Sequence, residues 1–554
     1  MDYKVVEEKL KYLYGKKKGE ETTRKLEQII IEAKRNIVCD DRALWDEKDI
    51  ALITYADSFE DSSAPTLNTL NRFLSEYIQD KFSIVHILPF APFSSDRGFS
   101  VINYLEVKKE FGNWSDIEII TKKYRLMVDL VANHVSAQSK WFKEFGIGNS
   151  KYKDYFIWFD KENIPAPDVL SKVRRGRATS VLTPFSTNEG KKFLWTTYSV
   201  GNTSDQIDLN YKNPEVLLEI IKIYLFYFKK GVSFFRLDGI AGLWKELGTI
   251  CKHLPQTHTI ISLFRDILNE VCPSAVLISE TTTATKEERL SYVSEDEANI
   301  TYNFDLAPLI LFSFYSGSVS YLSEIISNLN LASSKSTFFN ILDIHDGLNV
   351  FSVSKILSDI DMRKIYDEIE KRSGTFSYRS LPDGGKAVKE MHITWWSALN
   401  KDDEEPFEMQ LRKFITARAI TMSIQGIPAI YYLSLFGSKN DLAAYKKTHH
   451  GRDINRTNLS YDYLRKKLSN IKSRESKIFN ALMDLIEKRK VFKAFHPNAR
   501  QKVISLDPRI FAVIRGEGYD CVLALHNVSN EKVTVEYLDK SYILEAYSFS
   551  WNKL

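Results

Sequence analysis

Three short apolar runs of the chain each end in a carboxylic acid. Asp238 ends FFRLD, Glu280 ends LISE and Asp346 ends DIHD. Arg236 precedes Asp238 by two residues, and because side chains alternate along a strand, the two share one face. Convergence of three acids on one pocket suits retaining chemistry at a sugar acetal, which needs a nucleophile and a proton donor about 5 Å apart.

The surroundings of these acids predict that one is a protonated acid and another an ionised nucleophile. Mutual repulsion and partial burial raise the pKa of one carboxyl, so that it stays a proton donor near neutral pH, while Arg236 keeps Asp238 an ionised nucleophile. A single acid after an apolar strand is more often a helix N-cap, but three at equivalent positions favour a site. His86, His134 and His345 allow a metal as an alternative. No HxxxH or HExxH spacing occurs, and we expect neither metal nor cofactor.

Eight apolar runs separated by helix-length segments would position these residues. Continuous apolar strands of this kind are typical of parallel strands buried on both faces, and eight of them close a (β/α)8 TIM barrel of the α/β class. The runs begin at Ala51, Ser83, Arg125, Val232, Ala275, Asn299, Thr337 and Ile427.

The chain outside these runs predicts further units. The amphipathic stripe of the N-terminal segment favours packing onto the barrel over a partner-binding arm, and the alternating runs after about Val503 predict an antiparallel β domain. The predicted units are a helical extension (1–48), the catalytic barrel (49–480) with insertions after its third and seventh strands (134–210 and 347–403), and a terminal helix with the C-terminal β domain (481–554).

The composition, the N-terminal pattern and the cysteines bear on the protein's partners and location. The 554 residues carry 76 Lys and Arg against 72 Asp and Glu, a net charge of +4, which gives no reason to expect nucleic acid or a membrane as partner. The N-terminus lacks the pattern of a secretory signal. Cys39, Cys251, Cys272 and Cys521 form no CxxC pair and indicate ordinary thiols in a reducing compartment. We therefore expect a cytoplasmic protein, as a monomer or homodimer.

The motifs DLVANH, FFRLDGI, LISET and ILDIHDG resemble the four signature regions of the α-amylase superfamily, glycoside hydrolase family 13. The runs VHILPFAPFSSDRGFSVINY, SDQIDLN and GRDINR are similar to its sucrose phosphorylase branch. The segment LWDEKDIALITYADSF resembles the longer members of that branch, the glucosylglycerate phosphorylases. The resemblance spans about Trp45 to Arg456.

The resemblance implies a role for each matched position. Asp238 would be the nucleophile, Glu280 the general acid/base and Asp346 the stabiliser of the transition state. An Asp96–Arg452 pair would close the pocket behind a single glucosyl unit, so that a starch-cutting endo-enzyme does not fit. The residues implied to hold the glucosyl unit are Asp96, Phe99, His134, Tyr198, Arg236, His345 and Arg452.

The segments expected to bind the acceptor match the sucrose phosphorylase branch less well than the donor-binding segments do. VRRGRA resembles a basic loop of the branch, and we take Arg175, Arg177 and Glu390 as phosphate or acceptor candidates, although a lone charge run is usually a solvated loop. The run TTTAT after Glu280, the run KAVKEMHITWW and the extra residues VGNT depart from the branch. Each departure changes a place where the acceptor would bind.

The resemblance implies a retaining α-glucoside phosphorylase that converts an α-D-glucoside and phosphate to α-D-glucose 1-phosphate and a free acceptor. Its partners would be the small glucoside and inorganic phosphate. Glucosylglycerate is the first expectation for the glucoside and sucrose the next, with glycerol also open as acceptor. An α-glucosidase or transglucosidase with the same acids is the main alternative, and a catalytically silent sugar-binding protein is a more distant one.

Overall fold

The computed structural model describes residues 1–554 except 178, 199–204, 283, 332, 381–384 and 402–403. Eight parallel strands close into a barrel, in which the first strand pairs with both the second and the eighth. The predicted (β/α)8 fold is confirmed. The barrel strands are Ala51–Thr54, Ile84–Ile87, Arg125–Leu130, Val232–Leu237, Val276–Ser279, Ile300–Tyr302, Thr337–Asn340 and Ile427–Tyr431.

These strands are buried along nearly their whole length, as expected for apolar runs covered by helices outside and by side chains inside. The helices after the N-terminal extension are Thr66–Phe73, Trp114–Thr121, Lys140–Gly146, Pro167–Ser171, Pro214–Lys229, Pro255–Val271, Lys286–Leu290, Leu306–Ser316, Ser320–Ser327, Asp359–Lys371, Trp395–Leu399, Phe407–Ser423, Leu442–Thr448, Tyr461–Leu468 and Arg474–Lys490. None of the helices in the described ranges is long and apolar enough to cross a membrane.

Both long intervals fold as small β-containing insertions over the barrel mouth. In the first, His134–Ser136 pairs with Gln206–Asp208, and a three-stranded sheet combines Trp158–Phe159, Leu182–Thr187 and Gly190–Trp195. In the second, Lys386–His392 lies between Leu348–Asn349 and Thr375–Ser380. The two insertions therefore bring polar loops over the carboxyl ends of the strands.

The N-terminal extension is a helical hairpin, Tyr3–Tyr14 and Lys16–Lys34, that packs against helices Pro214–Lys229 and Pro255–Val271. Gly19 allows the two helices to meet closely, because a Cβ there would lie 2.6 Å from the Lys11 backbone. The buried stripe packs onto the barrel, as the sequence predicts.

The expectation that all four cysteines are thiols is wrong for two of them. Cys39 and Cys272 form a disulfide between the end of the extension and the end of helix Pro255–Val271, whereas Cys251 and Cys521 are free. The partners are 233 residues apart, so their spacing carries no signal of the pairing. The cysteines consequently give no support to a reducing compartment.

The C-terminal residues form two antiparallel sheets. Gln501–Asp507, Ile510–Arg515, Val522–Asn527 and Phe549–Lys553 form a four-stranded sheet, and Val533–Tyr537 pairs with Lys540–Leu544. One face of the larger sheet joins the hydrophobic core of the barrel through residues such as Phe511 and Trp551. The β unit is thus docked on the barrel.

Candidate active site

A small cavity of about 50 Å³ opens at the carboxyl ends of the barrel strands. It lies where a (β/α)8 barrel places loops that can differ without disturbing the core. The sequence-predicted residues that line it are Asp96, Phe99, His134, Arg177, Tyr198, Asp238, Glu280, His345, Asp346 and Arg452. Gln206, Gly239, Thr282 and Lys389 also line it.

Arg236 joins the nucleophile and acid candidates from below. Strand register sets it opposite Asp129 on the third strand and Ile278 on the fifth. Its Nη1 lies 2.8 Å from Asp238 Oδ1 and also contacts Asp129, while Nη2 lies 3.9 Å from Glu280 Oε1. One buried guanidinium therefore reaches both carboxyls and fixes their relative position.

The pKa of Asp238 is shifted in the opposite direction from the sequence expectation. Burial raises the pKa of Asp238 to about 8, with the Glu280 carboxylate acting in the same direction and Arg236 against it. Arg236 is shared with Asp129, so its charge does not offset the desolvation of Asp238. The Asp238 carboxyl therefore holds a proton more tightly than a solvent-exposed aspartic acid does, and it must lose that proton to act as a nucleophile. Glu280 and Asp129 are the other carboxyls on the same guanidinium.

Arg452 organises the opposite side of the cavity. Its Nη1 lies 2.8 Å from Asp346 Oδ1 and 3.3 Å from Asp96 Oδ2, and its Nη2 lies 3.3 Å from Glu390 Oε2. Burial raises the pKa of Asp96, but Arg452 and Arg456 outweigh it and hold that pKa at about 2. Asp346 is likewise kept ionised, with its pKa well below the usual range. This end of the cavity is closed by fixed charges.

Aromatic and imidazole rings form the walls between these charged ends. Phe99 stacks on His345 with ring centres 4.9 Å apart, and His134 lies 5.4 Å from the Tyr198 ring. Tyr198 donates a hydrogen bond to the Gly239 carbonyl, 3.0 Å. Burial lowers the pKa of His345 to about 3 and lowers that of His134. The two neutral imidazoles and the flat rings suit a pyranose, which has an apolar face and a polar rim.

The basic loop VRRGRA separates into three different environments. Arg177 lines the cavity, but Arg175 does not, because its guanidinium donates to the carbonyls of Thr196 and Thr197 at 3.1 and 3.2 Å. Arg174 pairs with Glu288 at 2.5 Å. Of the three arginines in this loop, Arg177 alone lines the cavity.

Glu390 lies beneath the cavity wall. It is buried, with Lys389 Nζ 2.5 Å from Oε1 and Ser377 Oγ donating to Oε2 at 3.1 Å. It therefore contacts the cavity-lining cations Lys389 and Arg452 from behind. The carboxylate orients these two groups.

Sequence reasoning passed over residues that the structure adds to the site. Asp129 lies inside a buried apolar strand, where an acidic residue is unusual and is itself a sequence signal. Arg456 lies four residues after Arg452 and reaches Asp96 at 3.2 Å. Lys389 lies on strand Lys386–His392 and the buried Lys252 lies in a loop, and no spacing rule connects either of them to the acids.

Two of the departures from the branch, the run after Glu280 and the extra residues VGNT, differ in what the structure describes of them. Thr285 is the N-cap of helix Lys286–Leu290, with Glu288 completing a capping box, and so serves the loop rather than the cavity. The extra residues VGNT, 200–203, lie outside the described residues. Among the described residues, no group of three or more His, Cys, Asp or Glu side chains is arranged to hold a metal ion.

A closed eight-stranded barrel with ion-paired acids at its carboxyl end and a cavity of sugar-binding residue types is typical of proteins that act on glycosidic bonds. Residues 53–364 match the model of the family described as Alpha amylase, catalytic domain. The chain belongs to the α-amylase family.

Relatives of known name cover most of the chain. The glucosylglycerate phosphorylase of Spirochaeta thermophila is 39% identical over 532 residues, covering 94% of this chain and 89% of that protein. The protein of the same name from Escherichia coli is 37% identical and covers 90% and 88%. The crystal structure of sucrose 6F-phosphate phosphorylase from Thermoanaerobacter thermosaccharolyticum superposes with a TM-score of 0.78 at 26% identity, covering 90% of this chain and 98% of that one.

Proposed function

We propose that the protein is a retaining α-glucoside phosphorylase that interconverts an α-D-glucoside and phosphate with α-D-glucose 1-phosphate and a free acceptor. Glucosylglycerate is the glucoside that the relatives favour, and sucrose is the next. The observation that carries the proposal is the single guanidinium of Arg236 reaching both Asp238 and Glu280 at the barrel mouth. This arrangement supplies a nucleophile and a proton donor on one rigid support.

The first half-reaction transfers the glucosyl unit to Asp238. With Asp238 ionised and Glu280 protonated, the Asp238 carboxylate attacks the anomeric carbon, and Glu280 donates its proton to the glycosidic oxygen, so the acceptor leaves with a neutral hydroxyl group. Asp346 remains ionised through Arg452 and stabilises the positive charge that develops on the sugar ring.

The second half-reaction reverses this with phosphate. Phosphate takes the place of the departed acceptor, one of its oxygens attacks the anomeric carbon, and the bond to Asp238 breaks with its electron pair returning to the carboxylate. Glu280 accepts the proton that the attacking phosphate hydroxyl gives up. Arg177, which lines the cavity, binds phosphate oxygens in this step.

The donor pocket accepts one glucosyl unit. Arg452, held by Asp96, Asp346 and Glu390, stands across the end of the cavity, so a longer chain has no path beyond the first ring. Phe99 and Tyr198 lie along the walls. We extend the proposal to the expectations drawn from the composition and the sequence pattern, namely a cofactor-free cytoplasmic enzyme acting as monomer or homodimer.

Phosphorolysis of glucosylglycerate tests the proposal. Incubation with inorganic phosphate is expected to give α-D-glucose 1-phosphate, with the anomeric configuration followed by proton NMR. The Glu280→Gln variant is expected to form it more slowly by about 100-fold or more. Release of free glucose at the same rate with and without phosphate would instead identify a hydrolase. A β-configured product would contradict the retaining mechanism.

A further inference from the structure

Lys389 is a cavity-lining cation that has no role in the two half-reactions above. It lies on strand Lys386–His392 of the second insertion, is 5% exposed, and faces the same cavity as Glu280. The carbonyl of Lys389 accepts a hydrogen bond from Val350 N at 3.1 Å, which fixes the strand at this point. The side chain therefore comes from a rigid element.

The position of the strand puts Lys389 on the acceptor side of the acid. Asn349, paired opposite Glu390, donates its Nδ2 to the carbonyl of Thr282 at 2.7 Å. Thr282 lies two residues after Glu280 and lines the cavity. Because Glu280 protonates the oxygen that joins glucose to the acceptor, groups next to the Thr282 loop meet the acceptor.

The ammonium has capacity for a ligand. It carries three N–H donors, and it forms an ion pair with Glu390 Oε1 at 2.5 Å. Glu390 is itself shared, since its other oxygen contacts Arg452. One carboxylate oxygen cannot saturate the three N–H donors of the ammonium, so Lys389 can also donate to an anion in the cavity.

A second buried cation lies close by. Lys252 Nζ is 5.9 Å from the centre of the Tyr198 ring, and the side chain belongs to the loop that follows the fourth strand. Burial lowers the pKa of Lys252 to about 7, and the charge of Lys389 acts in the same direction. An acceptor carrying negative charge would favour the protonated form of Lys252 and would offset its repulsion by Lys389.

We propose that Lys389 binds the carboxylate of the acceptor and selects acids such as glycerate over neutral polyols. This assignment rests on the proposed function, because it names the group that recognises the acceptor in that reaction. The adjoining Lys252 adds positive potential without being required to contact the ligand.

α-D-Glucosyl fluoride as donor isolates this step, because it forms the glucosyl enzyme without phosphate. Glucosyl transfer to glycerate and to glycerol is compared for the wild type, Lys389→Met and the control Lys386→Met, whose lysine is exposed on the same strand. Loss of a charge-assisted hydrogen bond predicts a fall of about 10- to 100-fold in the glycerate-to-glycerol ratio of kcat/KM for Lys389→Met, arising from the KM for glycerate. Lys386→Met should keep the ratio of the wild type.

A ratio that changes less than threefold in Lys389→Met, or equal losses with both acceptors, would overturn the proposal. The double variant Lys389→Met/Glu390→Gln removes one charge of each sign and serves if the single variant is unstable, with the same fall expected. Lys389→Arg keeps the charge and should hold the ratio within about fivefold. A wild type that only hydrolyses the fluoride would refute the proposed function itself, whereas a wild type that transfers to glycerate with an unchanged ratio in Lys389→Met refutes the assignment of Lys389 alone.

Discussion

Replacement of Arg452 by lysine tests the donor pocket sharply. The guanidinium contacts Asp346 at 2.8 Å and Asp96 and Glu390 at 3.3 Å. Lysine has a single nitrogen, so Arg452→Lys loses at least one of the three contacts. A charge-assisted hydrogen bond is worth about 1.5–3 kcal/mol, which corresponds to a fall of about 10- to 150-fold in kcat/KM.

The fold should tolerate this variant. Asp96 keeps Arg456 at 3.2 Å, and Glu390 keeps Lys389 at 2.5 Å, so neither buried carboxylate is left without a cation. The melting temperature is therefore expected to fall by only a few degrees.

The assay compares two donors that share only the glucosyl unit, α-D-glucose 1-phosphate with glycerate and α-D-glucosyl fluoride. Both rates should fall together, because Arg452 acts on the common glucosyl pocket. The control Arg465→Lys changes an exposed arginine and should leave both unchanged. A loss below threefold in Arg452→Lys, or a loss confined to one donor, would refute the reasoning.

Three further predictions follow from single features. Glu280→Gln should slow phosphorolysis of glucosylglycerate by about 100-fold or more but affect α-D-glucosyl fluoride much less, since fluoride leaves without a proton; equal losses would remove Glu280 as the acid. The pKa of Asp238 is raised to about 8 in the folded state, so this carboxyl reduces the free energy of unfolding as pH rises from about 4 to 8. Asp238→Asn should therefore have a higher melting temperature than the wild type, and the difference should grow across that pH range. A difference that shrinks would contradict the raised pKa. Alkylation of the denatured, unreduced protein should label two of its four cysteines, and Cys39→Ser should lower the free energy of unfolding by about 2–4 kcal/mol; labelling of all four would show that the disulfide is absent.

The barrel could be predicted because its signal is local. Each parallel strand is covered on both faces, so its sequence is a continuous apolar run. The eight runs that begin between Ala51 and Ile427 match the eight strands. The shared face of Arg236 and Asp238 follows from strand geometry alone, and the structure places their charged groups 2.8 Å apart.

Features that depend on pairing between distant segments could not be predicted in this way. The contact of Arg236 with Asp129 depends on strand register, and the disulfide joins residues 233 positions apart. The raised pKa of Asp238 reflects the balance between burial and a guanidinium shared with Asp129. Lys389 comes from an insertion whose course over the barrel no local pattern specifies.

The central claim, glucosyl transfer between phosphate and an acceptor at Asp238 and Glu280, is tested most directly by phosphate release from α-D-glucose 1-phosphate. The assay compares glycerate, fructose, glycerol and no added acceptor. The account predicts rapid release with glycerate, weaker release with the neutral acceptors and little release without one. Release that is equally fast in every case, with free glucose as the product, would contradict it.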